Sequence, residues 1–202
     1  METRADKSAK AIPQAAGRTS WPVSFAQNRM WLLDRLQPLG QAYNLARMAR
    51  LHGLLDHDAL RGALNDVVQR HDVLRSRYEV ENGEPVCRVG AGLVVALEVE
   101  DLGALPQDER TEMAHRRSRE EAQMAFDLQR GPLVRARLLR LTEDEHWLLL
   151  TLHPIVADER ALAGLRTELP PFSASRHTGQ NAGPCALRCP SHETGRGHAQ
   201  RQ

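Results

Sequence analysis

The strongest pattern in the chain is a run of apolar residues over 147–152 that stops at His153. The run is too short to span a membrane and β-branched residues follow it, so it predicts a buried central strand. His153 and Asp158 come directly after this strand. Because α/β proteins place their sites at the rims of sheets, these two residues are the first candidates for a functional site. A purely structural hydrogen-bonding role for His153 is the alternative.

The remaining pattern predicts helices and strands in a mixed α/β (α+β) order. Ser24 and Gln27 form a capping-box pattern at the start of the first helix, whose wide apolar face indicates that it is mostly buried. Asp56 is a favourable N-cap for the second helix, and Asn82-Gly83 predicts a tight hairpin turn. Strands are predicted over 43–52, 75–80, 86–89, 93–99, 133–141 and 146–152. Helices are predicted over 24–36, 106–125 and 160–169, and a further helix follows Asp56 with an apolar stripe that runs from Leu60 to Leu74.

The composition divides the chain into a central domain, residues 20–169, and two ends of different character. Residues 1–19 form a polar leader that we expect to be disordered. Residues 170–202 are rich in proline and glycine and have too few apolar residues to order themselves, so we interpret them as a disordered or non-homologous tail. The tail contains four residues that fit zinc spacing only loosely, and we predict no metal site; they are Cys185, Cys189, His192 and His198.

The charge balance argues against two classes of partner. The 202 residues include 27 basic and 26 acidic side chains, and the net charge of +1 does not favour binding to nucleic acid or to an anionic membrane. Three cysteines suggest a reducing compartment, and Met1 is followed by charged residues without the apolar stretch of a signal peptide. We therefore expect a cytoplasmic protein.

Three segments together resemble the signatures of the condensation domain of nonribosomal peptide synthetases. SFAQNRMW (24–31) resembles S-x-A-Q-x-R-(L/M)-W, and RHDVLRSRY (70–78) resembles R-H-E-x-L-R-T-x-F. LHPIVADERA (152–161) resembles a degenerate copy of H-H-x-x-x-D-G. The segment 126–141 has the same family character, and order and spacing agree over residues 21–169.

The resemblance implies a chloramphenicol-acetyltransferase-like fold of two lobes with the active site between them. This chain would hold only the amino-terminal lobe, a mixed sheet with helices packed on it. The family joins carrier-bound thioesters: the acceptor amine attacks the donor thioester and an amide bond forms. The implied partners are peptidyl or acyl carrier proteins. A second chain that supplies the other lobe is a further possible partner. The chain would need no cofactor of its own, because phosphopantetheine is carried by the partner carrier proteins.

The motif match also implies roles for individual residues. His153 matches the first histidine of H-H-x-x-x-D-G, and Asp158 matches the aspartate, which in the family pairs with an arginine to hold the loop. Arg70 and Arg75 are both candidate partners of Asp158 in this chain.

Two departures from the motif bear on activity. The second histidine, which the family uses to orient or deprotonate the amine, is Pro154, and the glycine is Glu159. Proline cannot accept a proton, and losing a positioned general base typically costs about 10²–10⁴ in rate. Glu159 stands where the loop would need a glycine if its backbone had positive φ. We therefore expect little or no condensation activity. A non-catalytic carrier-protein-binding fragment and a related carrier- or CoA-dependent acyltransferase of the same fold are the alternatives.

Overall fold

The computed structural model describes residues 20–36 and 44–168. The predicted leader and tail, including the four loosely spaced cysteines and histidines, lie outside these residues. The described residues form two sheets with helices packed on them. The strands are β1 (Ser20–Pro22), β2 (Leu45–His52), β3 (Ser76–Glu81), β4 (Glu84–Val89), β5 (Leu97–Asp101), β6 (Val134–Arg140) and β7 (Glu145–Leu152). The helices are α1 (Phe25–Leu36), α2 (His57–Arg70), α3 (Gln107–Gln123) and α4 (Glu159–Glu168), with a short 3₁₀ turn at Asp72–Arg75.

The larger sheet is built around β7. Its strand order is β2-β7-β6-β5, with β5 parallel to β6 and the other pairs antiparallel, so the predicted mixed sheet is confirmed. Leu148 and Leu152 belong to the main core cluster, whereas Trp147 and Leu149 belong to a second cluster that includes residues of α3. Because both faces of β7 are covered, the strand has a continuous apolar sequence rather than an alternating one. The predicted buried central strand is confirmed.

The smaller sheet has the strand order β1-β4-β3. Asn82 and Gly83 join β3 to β4 with φ of 53° and 86°, as the predicted hairpin turn requires. β1 was not predicted, because three residues are too few to show a periodic pattern. The strand predicted over 93–99 begins only at Leu97. Val95 lies before it, and its N–H donates to the Asn65 side chain at 2.8 Å instead of to a neighbouring strand.

Helix α1 differs from its prediction in burial. Its capping box is confirmed: the Ser24 N–H donates to Gln27 Oε1 at 3.0 Å, and the Gln27 N–H donates to Ser24 Oγ at 3.2 Å. However, Phe25 and Leu36 are 89% and 69% exposed, and the buried residue of the helix is Gln27. The prediction of a mostly buried helix was wrong: α1 packs on the core through Gln27, Met30 and Trp31, and much of the rest of its apolar face is exposed. Gln27 can be buried because it has hydrogen-bond partners inside the protein.

Candidate functional site

The site is the loop 153–158, which connects β7 to α4. The backbone of His153 is held on both sides: its N–H donates to Leu133 O at 3.0 Å, and its carbonyl accepts from the Val156 N–H at 3.0 Å. Ile155 and Val156 are buried in the main core cluster. The loop is therefore anchored by its own backbone and by two apolar side chains, and it presents His153 at the rim of the sheet.

The imidazole of His153 is buried, with 5% of the residue exposed. Its Nδ1 atom accepts a hydrogen bond from the Ile155 N–H at 3.1 Å, so the neutral ring carries its proton on Nε2. Nε2 lies 3.9 Å from Oδ1 of Asp34. Burial lowers the pKa of His153 to about 4, so the ring is neutral at pH 7. In this arrangement His153 cannot take up a proton without losing its bond to Ile155.

Asp34 of α1 is a site residue that sequence reasoning missed. Its carboxylate is partly buried, and burial raises its pKa, as does the nearby carboxylate of Asp127. The helical pattern placed Asp34 near the end of α1, but helical spacing does not reveal which loop a helix faces. The carboxylate is the ionisable group that lies opposite the proton of His153.

An aromatic and cationic wall adjoins the imidazole. The Phe126 ring packs edge-on against His153, with ring centroids 6.0 Å apart and planes at 85°. The guanidinium of Arg135 lies 3.8 Å from the centroid of the Phe126 ring, and its Nε donates to Glu121 at 2.7 Å. Because Glu121 is itself buried, it anchors Arg135, and through Arg135 the Phe126 ring, beside His153.

The three segments that resemble family signatures meet at this loop. Gln27, from the first, donates through Nε2 to the hydroxyl of Tyr78, from the second, at 3.0 Å. That hydroxyl donates to the carbonyl of Ile155, from the third, at 3.3 Å, and Gln27 Nε2 lies 3.5 Å from the same carbonyl. Residues far apart in the chain thus form one buried hydrogen-bond network.

Asp158 has a local contact. It is exposed, and its Oδ1 accepts a hydrogen bond from the Ala161 N–H at 2.7 Å, while its carbonyl accepts from the Leu162 N–H at 3.0 Å. This is the geometry of an N-cap, in which a side-chain oxygen satisfies a backbone donor of the first helical turn. Asp158 therefore fixes the point where the loop becomes α4.

The two candidate arginines for Asp158 have other partners. Arg70 pairs with Glu168 at 3.0 Å, at the far end of α4, and Arg75 pairs with Asp72 three residues away. Neither arginine has an ion pair with Asp158 within the described ranges. Each arginine is therefore already paired with a carboxylate other than that of Asp158.

The two departures from the motif are accommodated without backbone strain. Pro154 is half-buried, and Glu159 begins α4, where a carboxylate is favoured by the helix dipole. In the part of the chain that the structure describes, Asn82 is the one non-glycine residue with positive φ, so Glu159 does not occupy a position that requires glycine. Its carboxylate pairs with Arg47 of β2.

Residues 20–36 and 44–168 lack both a metal-binding cluster and a membrane-spanning helix. No group of three or more His, Cys, Asp or Glu side chains there is arranged to hold a metal ion. None of the helices in those ranges combines the length and the apolar character needed to cross a membrane.

The mixed sheet, its helices and the loop after β7 define a protein of the chloramphenicol-acetyltransferase-like fold class. The solved starter condensation domain of rhizomide synthetase has the same fold, with a TM-score of 0.73 and 23% identity over 83% of this chain and 42% of that chain. The SgcC5 protein of Streptomyces globisporus matches 81% of this chain and 38% of that chain, with a TM-score of 0.69 and 30% identity.

The sequence comparison agrees. The family model described as the condensation domain matches residues 18–169, and the chain belongs to this family. Phosphinothricin tripeptide synthetase PhsC of Streptomyces viridochromogenes is 39% identical over 162 residues, which cover 80% of this chain and 15% of that protein. The chain thus spans a minor part of this curated relative and about two fifths of the solved domains.

Proposed function

We propose that this chain is the amino-terminal part of a carrier-protein-dependent condensation domain that keeps the motif loop but lacks its proton-accepting group. One observation carries the proposal: position 154 is proline, and both ring nitrogens of His153 are committed, Nδ1 to the Ile155 N–H and Nε2 as the protonated nitrogen facing Asp34. A general base must have an available lone pair within reach of the proton that it abstracts. The loop retains neither a second histidine nor a first histidine with a free nitrogen.

His153 and Asp158 then act as positioning residues. The imidazole fills the space between Phe126 and α1 and anchors the Ile155 N–H, and Asp158 begins α4. Both roles depend on hydrogen-bond acceptors, not on proton transfer. They are therefore compatible with a low His153 pKa.

The partners in this proposal are carrier proteins that bear substrates on phosphopantetheine. The rhizomide synthetase domain has been solved in complex with C8-CoA, and also with C8-CoA and Leu-SNAC together. Those complexes support pantetheine-linked acyl groups as the ligand class. They also make acyl-coenzyme A an alternative donor for this chain, as an acyltransferase of the same fold would use.

The test combines binding with turnover. The full chain is titrated with a holo carrier protein that carries an acyl group through a non-hydrolysable amide, and with the corresponding acyl-coenzyme A. In parallel, donor and acceptor carriers are incubated with the chain, and mass spectrometry is used to search for the amide product. We expect carrier binding without product. Absence of carrier binding would refute the carrier-dependent role, and binding of acyl-coenzyme A alone would favour the acyltransferase alternative.

Two variants separate the missing base from other causes of inactivity. Pro154→His restores the imidazole of the motif, and Pro154→Ala removes the proline ring without adding a base. Amide product from the unmodified chain would contradict the proposal that the base has been lost. Product from Pro154→His but not from Pro154→Ala would identify the imidazole as the missing group.

A further inference from the structure

Tyr78 adds a hydroxyl group to the centre of the site. The segment 70–78 ends in tyrosine, whereas the signature that it resembles ends in phenylalanine. Tyr78 is fully buried, so its hydroxyl must find partners inside the protein. It donates to the Ile155 carbonyl at 3.3 Å and accepts from Gln27 Nε2 at 3.0 Å.

Ile155 connects this hydroxyl to the histidine. Its carbonyl is held by Tyr78 and Gln27, and its N–H donates to Nδ1 of His153 at 3.1 Å. Both the carbonyl and the N–H of Ile155 therefore have hydrogen-bond partners among the residues of the site. Pro154, the residue before it, has no N–H, so it cannot contribute a backbone donor to hold the loop.

A neutral imidazole keeps one proton, and the acceptor nitrogen is set by the donor that faces it. Here the donor is the Ile155 N–H, whose direction depends on the backbone of the loop. If the loop relaxes, Nδ1 loses its donor and the proton can occupy either nitrogen. The orientation of the Ile155 N–H thus determines whether Nε2 of His153, the nitrogen that faces Asp34, carries the proton.

We propose that Tyr78 is a positioning residue of the His153 site: its hydroxyl, together with the Gln27 amide, holds the Ile155 backbone and thereby fixes His153 in its Nε2–H form. The inference rests on the proposed function in treating this loop as the site that faces substrate. Its test does not require a carrier protein, so its failure and that of the proposed function are distinguishable.

The decisive variant is Tyr78→Phe, which removes one oxygen and installs the residue of the signature. Nitrogen NMR of the full chain labelled with ¹⁵N-histidine reports which ring nitrogen carries the proton, and His153→Gln assigns the signals. In the unmodified chain we expect an acceptor-type Nδ1 signal and a protonated-type Nε2 signal. In Tyr78→Phe we expect the two signals to move toward each other as the second tautomer is populated. The Ile155 amide should exchange with solvent about five- to tenfold faster, the factor expected for one ordinary hydrogen bond.

A control variant distinguishes positioning from general destabilisation. Leu141→Val truncates a buried residue of the second core cluster, away from the loop, and should leave the His153 nitrogen signals unchanged. Unchanged His153 signals and unchanged Ile155 exchange in Tyr78→Phe would overturn the proposal. If Tyr78→Phe does not fold, Gln27→Met removes the second donor to Ile155, and the same two readouts decide.

Discussion

The Nδ1 atom of His153 lies 3.1 Å from the backbone nitrogen of Ile155 and accepts its hydrogen bond. This contact and the proline at position 154 are the basis for the proposal that the loop has no catalytic histidine pair. The imidazole supports the loop, and its buried position keeps it uncharged. The protonation state of His153 should therefore affect the free energy of unfolding more than any reaction at the loop.

Acidification should destabilise the fold through His153. Its pKa is lowered from 6.5 to about 4 by burial, so the unfolded state binds the proton more tightly than the folded state. Stability from this residue is fully present above pH 6.5 and is lost as the pH falls from there toward 4. The loss should reach about 2 kcal/mol at pH 5.

Urea denaturation between pH 4 and 8 measures this effect. His146, whose pKa is also lowered by burial, contributes in the same direction, so the comparison must be with His153→Asn. The asparagine carbonyl can accept the Ile155 hydrogen bond but does not titrate. Equal pH dependence in the two proteins would show that His153 is not the responsible group.

Removing the N-cap of α4 should weaken the loop at its other end. Asp158→Ala deletes the acceptor of the Ala161 N–H and should cost about 0.5–2 kcal/mol of unfolding free energy. Asp158→Asn is the matched control, because asparagine caps helices about as well. An equal loss in the two variants, measured by thermal melting, would point to the charge of Asp158 and not to its capping bond.

The carboxylates at the two ends of α4, Glu168 and Glu159, offer a comparison between a partly buried and an exposed charge contact. Glu168 contacts the fully buried ring of His71 at 3.1 Å and also pairs with Arg70, whereas Glu159 pairs with Arg47 where both side chains are more than half exposed. Glu168→Gln should cost about 1–3 kcal/mol because the buried partner loses an ionised acceptor.

Glu159→Gln is the exposed counterpart and should change stability by less than about 1 kcal/mol, since water screens the pair. Chemical denaturation of both variants at neutral pH gives the comparison. A larger effect at Glu159 than at Glu168 would mean that the N-terminal end of the helix is the one held by charge.

The hairpin turn gives a prediction about the backbone alone. Gly83 has φ of +86° with open space around its Cα, so Gly83→Ala should cost about 1–2 kcal/mol from conformation and not from collision. Gly90, which does not have a positive φ, would contact Arg75 O at 3.4 Å through an added Cβ, and Gly90→Ala should be close to neutral. Similar melting temperatures for both variants would contradict the proposed conformational cost.

The parts of the fold that were predictable are those determined by local sequence. The apolar run that forms β7, the capping box of Ser24 and Gln27 and the Asn82-Gly83 turn all depend on residues within a few positions of each other, and all three are present. Resemblance over three separated motifs added the family, which no single segment would have established.

The contacts that were missed join residues distant in sequence. The opposition of Asp34 to His153 spans α1 and the end of β7, and the hydrogen bond from Gln27 to Tyr78 spans 51 positions. Helical and strand periodicity describe which residues share a face, but not which element that face meets. For the same reason the sequence could not choose a partner for Asp158: Arg70 and Arg75 were both candidates, and each pairs with another carboxylate.

The way the loop is anchored has an evolutionary consequence. The contacts that hold it come from His153, Ile155 and Asp158 and leave the side chain of Pro154 with no essential hydrogen bond. A proline codon that ends in C or U becomes a histidine codon by one change at its middle base, whereas a proline codon that ends in A or G needs two changes. The loop therefore lies within one or two base changes of the second histidine of the H-H-x-x-x-D-G motif, and the contacts that hold the loop would not have to change.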